Sequence, residues 1–268
     1  STTIINCLLQ EASRLGIEIR TQVDVTDIKK LNDSFSISTA QETIVCDTLF
    51  IATGSNKRIF GILSQLGHTI EPLVPSLFTF TLPNSPLLAL AGVSMASVKI
   101  QCEGYEREGP LLITHWGLSG PCVLKLSAFA ARELYNKNYK TDIYINWVPQ
   151  CTQAMISERL EQMRTEHGAK NISSDNPFFI PKNLWKHFIE KIADKQWARI
   201  SKEDIKNLIT RLSCDKHHIE GKTTYKDEFV TCGGVRRSEV DFKTMQSKVI
   251  PGLYFGGDVD QYVIRDNV

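Results

Sequence analysis

No two glycines stand two residues apart in this chain of 268 residues, so the G-x-G-x-x-G turn that cradles a dinucleotide's pyrophosphate is missing. Charge of one sign is missing as well. The 31 Lys+Arg stand against 30 Asp+Glu, a formal net charge of +1, too little for a field that would draw in nucleic acid or an anionic membrane. Partners cannot be read from net charge, since a local patch can still exist. Nucleic acid is not expected because residues 151–228 carry a surplus of only two positive charges, 14 against 12, and no membrane partner is expected. The seven cysteines, Cys7, Cys46, Cys102, Cys122, Cys151, Cys214 and Cys232, contain no C-x-x-C pair and are odd in number, which argues against a disulfide scaffold or a zinc site. No metal is expected, and the compartment reads as reducing, hence cytoplasmic. Pro72–Val98 is an uncharged run of 27 residues, long enough for a membrane span, but Pro72, Pro75, Pro83 and Pro86 break it into strands and turns. The first residues lack a basic segment followed by an apolar run, and Ser1 stands where a native start would have Met. The chain therefore reads as a portion of a longer one.

At about 150 residues per domain the length suggests two units, or one interrupted unit. Thr2 to Leu15 has the spacing of an amphipathic helix, with Gly16 placed to end it in a left-handed conformation. A strand over Ile17 to Val23 is expected from the alternation that follows. A meander over Val25–Ile28, Ser34–Ser38 and Thr43–Val45 comes next. Thr48–Ala52 is a compact apolar run, as a strand buried on both faces would be, and it ends at Thr53-Gly54. Leu77–Leu82, Val98–Cys102, Leu111–Thr114 and Asp142–Trp147 suggest a mainly antiparallel β unit, interrupted by a helix over Pro121–Leu134 with Pro121 in its first turn. Residues 151–228 hold 14 Lys+Arg and 12 Asp+Glu. That composition predicts a helical part, with helices over Met155–Met163, Leu184–Ile192 and Lys202–Leu212, the last opened by a Ser201/Asp204 capping box. Strand-like text returns at Tyr225–Thr231 and Gly252–Phe255.

Three glycine breaks stand out: TLFIATG at Thr48–Gly54, VTCGGV at Val230–Val235 and PGLYFGGD at Pro251–Asp258. A strand running into Gly-Gly-Asp sets a carboxylate at the carboxyl edge of a sheet, where a hydroxylated ligand such as a ribityl chain can be held. Together with LGHTIEPLVPSL, LAGVS, LLITHWGLSGP and MQSKVIPGLYFGGD, these segments occur in the order found in the HI0933-like family of FAD-dependent oxidoreductases, also described as BaiN-like or aminoacetone-oxidase-like flavoproteins. The chain resembles that family from Thr2 to about Asp258.

The resemblance implies an α/β fold with a large α+β insertion: a partial Rossmann-type FAD-binding domain interrupted by a β-barrel-like unit and a helical subdomain. It divides the chain into residues 1–57 and 223–268 of the FAD domain, a β-rich insertion over 58–150 and a helical insertion over 151–222. Thr53 and Gly54 then look like the turn beside the dinucleotide, Gly233 and Gly234 a close approach near the flavin, and Asp258 the ribityl-side acid. The family usually shows Glu at that last position, and beyond it the likeness stops. The phosphate-binding unit lies before residue 1 in the family, so the chain reads as an inactive fragment. It is expected to come without FAD although its parent binds it. The electron donor, NAD(P)H among the candidates, stays open, as do substrate and catalytic residue. Removal of the upstream unit would expose sheet and favour self-association.

His115 is a substrate-side candidate because an imidazole exchanges protons near neutral pH, though a structural His in a tight turn is the commoner role. Gly117-Leu118-Ser119-Gly120 lacks the spacing of a G-x-S-x-G nucleophile elbow. His217 and His218, adjacent in sequence, point to opposite sides of a strand, and Cys232 without a partner thiol reads as a small buried filler. Two functions compete: part of an FAD-dependent oxidoreductase of unknown substrate, or a non-catalytic module that docks a macromolecule on a vestigial flavoprotein fold.

Overall fold

A computed structural model describes residues 2–223 and 230–257. Within them the chain forms two compact units, one of residues 2–71 with 234–257 and one of residues 72–223 with 230–233.

The first unit opens with the helix Thr2–Arg14. Gly16 ends it at φ 68°: its amide donates to Ser13 O at 3.1 Å, and the Ile17 amide donates to Ala12 O at 2.9 Å. That pair of bonds is the glycine-capped C-terminus the sequence announces. Residues 17–23 form no strand. Their alternation lacks a neighbour to accept and donate the ladder bonds, and without one a period of two specifies nothing. The meander is present as Val25–Lys30, Phe35–Thr39 and Thr43–Cys46, antiparallel in sequential order, with Ile28 opposite Ile37 and Phe35 fully buried.

A second sheet orders Val240–Asp241, Gln246–Ser247, Leu253–Phe255 and Leu49–Ile51, and the last two pair in parallel. A full Rossmann sheet is not present among the described residues. Between the sheet segments lies the helix Lys57–Gln65, which buries Ile59, Phe60, Ile62 and Leu63, on the order of 1.5–3 kcal/mol per side chain. His68 ties the unit together. Ser247 Oγ accepts from the Val249 and Ile250 amides at 3.0 and 2.8 Å, so its one proton goes to His68 Nε2 at 3.1 Å. His68 Nδ1 then carries the hydrogen that it donates to Glu239 Oε2 at 3.1 Å. Burial pushes the Glu239 carboxyl up, but bonds from the Thr69 amide and from His68 outweigh it and hold the group below the usual range.

The second unit is built on a seven-stranded sheet ordered 215–219, 141–146, 94–102, 105–113, 117–119, 80–81 and 221–222, antiparallel at every pairing. Strand 80–81 is much shorter than the Leu77–Leu82 text suggests, since Leu77 takes φ 54°. The single helix expected over Pro121–Leu134 is two, Pro121–Phe129 and Ala131–Asn136; nothing in the local sequence marks the break. Gln153–Glu166, Lys182–Phe188 and Lys202–Ser213 supply the charged helical part. Ser201 and Asp204 form the capping box in both directions. These helices and the sheet share one continuous core, in which Ile143, Ile145 and Ile219 pack with Ile156, Leu160, Trp185, Trp197, Leu208 and Leu212. No helix among the described residues is long and apolar enough to cross a membrane.

Candidate functional site

Because Leu49–Ile51 and Leu253–Phe255 run parallel, both leave the sheet at the same edge, the first into Thr53-Gly54 and the second into Gly256-Gly257. The Gly256 amide donates to Ile51 O at 2.9 Å, carrying the pairing to that edge. Gly54 stands at φ 59° and Gly257 at φ 67°, and a Cβ on either would meet no atom of the described residues within 4 Å. Bare left-handed backbone facing open space at the carboxyl end of a parallel pair is where α/β sheets receive ligands. Gly256 has a different reason: a Cβ there would sit 2.5 Å from the Phe50 ring, which lies across the strand. Thr53 is exposed. Asp258 lies outside the described residues.

Gly233 and Gly234 are buried in the strand Val230–Val235, at φ 130° and 114°. Preceding them, Cys232 packs against Val74 and Ala131, and burial pushes its thiol up. It is the buried filler expected.

His115 is exposed at the tip of the hairpin joining strands 105–113 and 117–119. Thr114 closes that turn: its hydroxyl donates to Gly117 O at 3.1 Å and accepts from the Gly117 amide at 3.2 Å. The glycines of LLITHWGLSGP have packing reasons. A Cβ on Gly117 would stand 2.1 Å from Phe80 O, and one on Gly120 2.8 Å from Pro110 O. His217 and His218 face different carboxylates, His217 Nε2 with Asp215 Oδ2 at 2.8 Å and His218 Nδ1 with Asp142 Oδ1 at 2.8 Å.

Sequence reasoning missed the helix that follows the Thr53-Gly54 turn. Asn56 caps it, its Oδ1 accepting from the Arg58 and Ile59 amides at 3.0 and 3.4 Å. An Asn ahead of the apolar positions 59, 60, 62 and 63 was the available signal.

These features define a class: a unit with a parallel strand pair and an open glycine edge, and beside it in sequence an antiparallel sheet with a helical cap. The chain belongs to the HI0933-like family, whose barrel and H2TH domain matches residues 74–230. It is similar to proteins named ribosomal RNA dihydrouridine synthase from Escherichia coli and Haemophilus influenzae, 29% identical to each over 96% of this chain. A 3-dehydro-bile acid delta(4,6)-reductase from Clostridium scindens is 22% identical over 97% of the chain and 67% of its own length. The chain spans 65% of the length of each of the two synthases.

Two expectations are corrected by these relatives. An FAD-dependent oxidoreductase of unknown substrate, or else a non-catalytic module, gives way, because the two synthases are named for an RNA-modifying activity. The exclusion of nucleic acid fails with it. A net charge of +1 speaks only of the field at long range; local cationic and aromatic groups can still hold RNA.

Proposed function

We propose that this chain is part of an enzyme that reduces uridine to dihydrouridine in ribosomal RNA. The observation that carries this is the 29% identity to two ribosomal RNA dihydrouridine synthases across 96% of the chain. The reaction adds a hydride and a proton across the uracil C5=C6 bond, which is conjugated to the C4 carbonyl. The reductase name of the third relative describes related chemistry, a carbon–carbon double bond reduced in a ring system bearing a ketone. A polarised alkene is the common substrate element.

A flavin would supply the hydride. The open backbone at Gly54 and Gly257 fits such a group, since among the described residues nothing stands within 4 Å of either missing Cβ. Thr53 and Gly54 would hold it by the backbone, Gly233 and Gly234 would allow close approach, and Asp258 would take a ribityl hydroxyl. The chain itself has no glycine-rich phosphate turn, so it is not expected to retain the group by itself. His115, exposed at its hairpin tip, is the candidate to deliver the proton. An rRNA substrate would place the enzyme in the cytoplasm.

The test uses the complete reading frame. It is purified, its absorption spectrum recorded, and the protein incubated with unmodified ribosomal RNA and NADPH, followed by nuclease digestion and mass spectrometry. A flavin band and a two-hydrogen gain on a uridine are expected, with H115Q slowed. Full flavin occupancy without reduction of any uridine would overturn the reading.

A further inference from the structure

Among the large apolar side chains exposed in the second unit, Phe179 stands apart: it is 88% exposed, while its neighbour Phe178 is buried with its ring 6.2 Å from that of Trp185. The loop holds it out. Pro177 and Pro181 bracket it, the Phe179 amide donates to Asn176 O at 3.3 Å, and the Asn176 side-chain amide donates to Ile180 O at 2.6 Å. Phe179 itself sits at φ 55°, an unfavourable conformation for a bulky residue.

The ring borders an open groove of about 380 Å³ shared with Met155, Cys151, Glu158 and Arg159. Arg159 donates to Gln162 Oε1 at 3.2 Å and meets no carboxylate among the described residues. Residues 176–189 carry Lys182 and Lys186 and no Asp or Glu. Those two lysines are exposed and, four apart, lie on one face of the helix Lys182–Phe188. Arg159 shares the groove with the ring, and Lys182 and Lys186 follow three and seven positions on in the chain. An outward aromatic ring combined with such cations is what binds unpaired nucleotides, the ring stacking on a base and the cations taking phosphates.

We propose that Phe179 is a stacking platform for an unpaired base of RNA, with Arg159, Lys182 and Lys186 contacting the adjoining phosphates. The assignment rests on the RNA-directed function above. It is tested by fluorescence anisotropy of the whole chain with a fluorescein-labelled, unstructured single-stranded RNA of about 20 nucleotides, longer than a typical site. F179A should weaken binding about 5- to 150-fold, F179W should bind at least as tightly as wild type, and F179L should behave like F179A. K182A/K186A should reduce the slope of log K against log salt by about 1.4. Unchanged binding by F179A, with wild-type binding intact, would overturn the stacking assignment alone. F179L binding as tightly as wild type would make the groove an apolar docking surface and overturn it too. Absence of RNA binding by the wild-type chain would overturn both this assignment and the RNA-directed function.

Discussion

Replacing Asp215 with Ala tests the buried polar contact that ties strand 215–219 to Trp147, the residue just after strand 141–146. The Trp147 indole N–H donates to Asp215 Oδ2 at 3.0 Å, and His217 Nε2 meets the same oxygen at 2.8 Å. Trp147 is fully buried and its ring lies 5.8 Å from that of Phe188; the His217 side chain is 9% exposed. Removing the carboxylate leaves an indole N–H and an imidazole nitrogen without their acceptor or partner, each at about 1–3 kcal/mol. The sum, about 2–6 kcal/mol, is a large fraction of the 5–15 kcal/mol that typically holds a domain together. All four tryptophans, Trp116, Trp147, Trp185 and Trp197, fall in residues 72–233, so tryptophan fluorescence during urea unfolding reports on this unit. A double-mutant cycle with W147F isolates the contact. W147F removes the donor, so the Asp215 loss should be smaller in that background, with a coupling of about 1–3 kcal/mol. Additivity of D215A and W147F, or a D215A cost below about 0.5 kcal/mol at unchanged m, would refute the reasoning.

Gly117→Ala, whose Cβ would stand 2.1 Å from Phe80 O, should destabilise the same unit by about 3 kcal/mol or more; an unchanged urea midpoint would contradict the close approach. Gly54→Ala meets no atom of the described residues within 4 Å and should cost only about 1–2 kcal/mol, from its left-handed backbone. Lys195 holds the Asp204 carboxyl below its usual range against the opposing effect of burial, with help from the Ser201 amide. A depressed folded-state pKa means that Asp204's contribution is complete above the ordinary Asp value of about 4 and is lost as pH falls through the lower folded value. D204N should cost about 1 kcal/mol at pH 7 and flatten the acid limb of the stability curve. An identical acid limb would count against it.

Much of the local structure was legible. Gly16, the Ser201/Asp204 box, the meander and the short apolar strand ahead of Thr53-Gly54 appear where spacing and residue type put them, but that strand is not buried on both faces as its apolar run suggested: Ile51 is buried while Phe50, on the opposite face, is 60% exposed. The strand expected over 17–23 failed because alternation records only what a strand would bury if a neighbour existed. The helix Lys57–Gln65 was missed although Asn56 and its apolar spacing announced it. Nucleic acid was set aside on the small positive surplus of residues 151–228, 14 Lys+Arg against 12 Asp+Glu, a sum that discards where the charges lie. Phe179 could not be recognised from text: Phe178 and Phe179 are identical neighbours, and only the turn at Asn176 decides which one is buried.

By itself the amino-acid sequence determined helix ends, turn glycines and the order of the glycine-rich segments, because caps, periodicity and backbone freedom act between residues a few positions apart. Tertiary structure alone decided that His68 bonds Glu239 across 171 positions, that Trp147 bonds Asp215 across 68, and that the two glycine turns at Gly54 and Gly257 leave one edge of a parallel pair. Such contacts depend on which strands become neighbours, and a parallel pairing is set by the packing of everything between the two strands rather than by either strand's own residues.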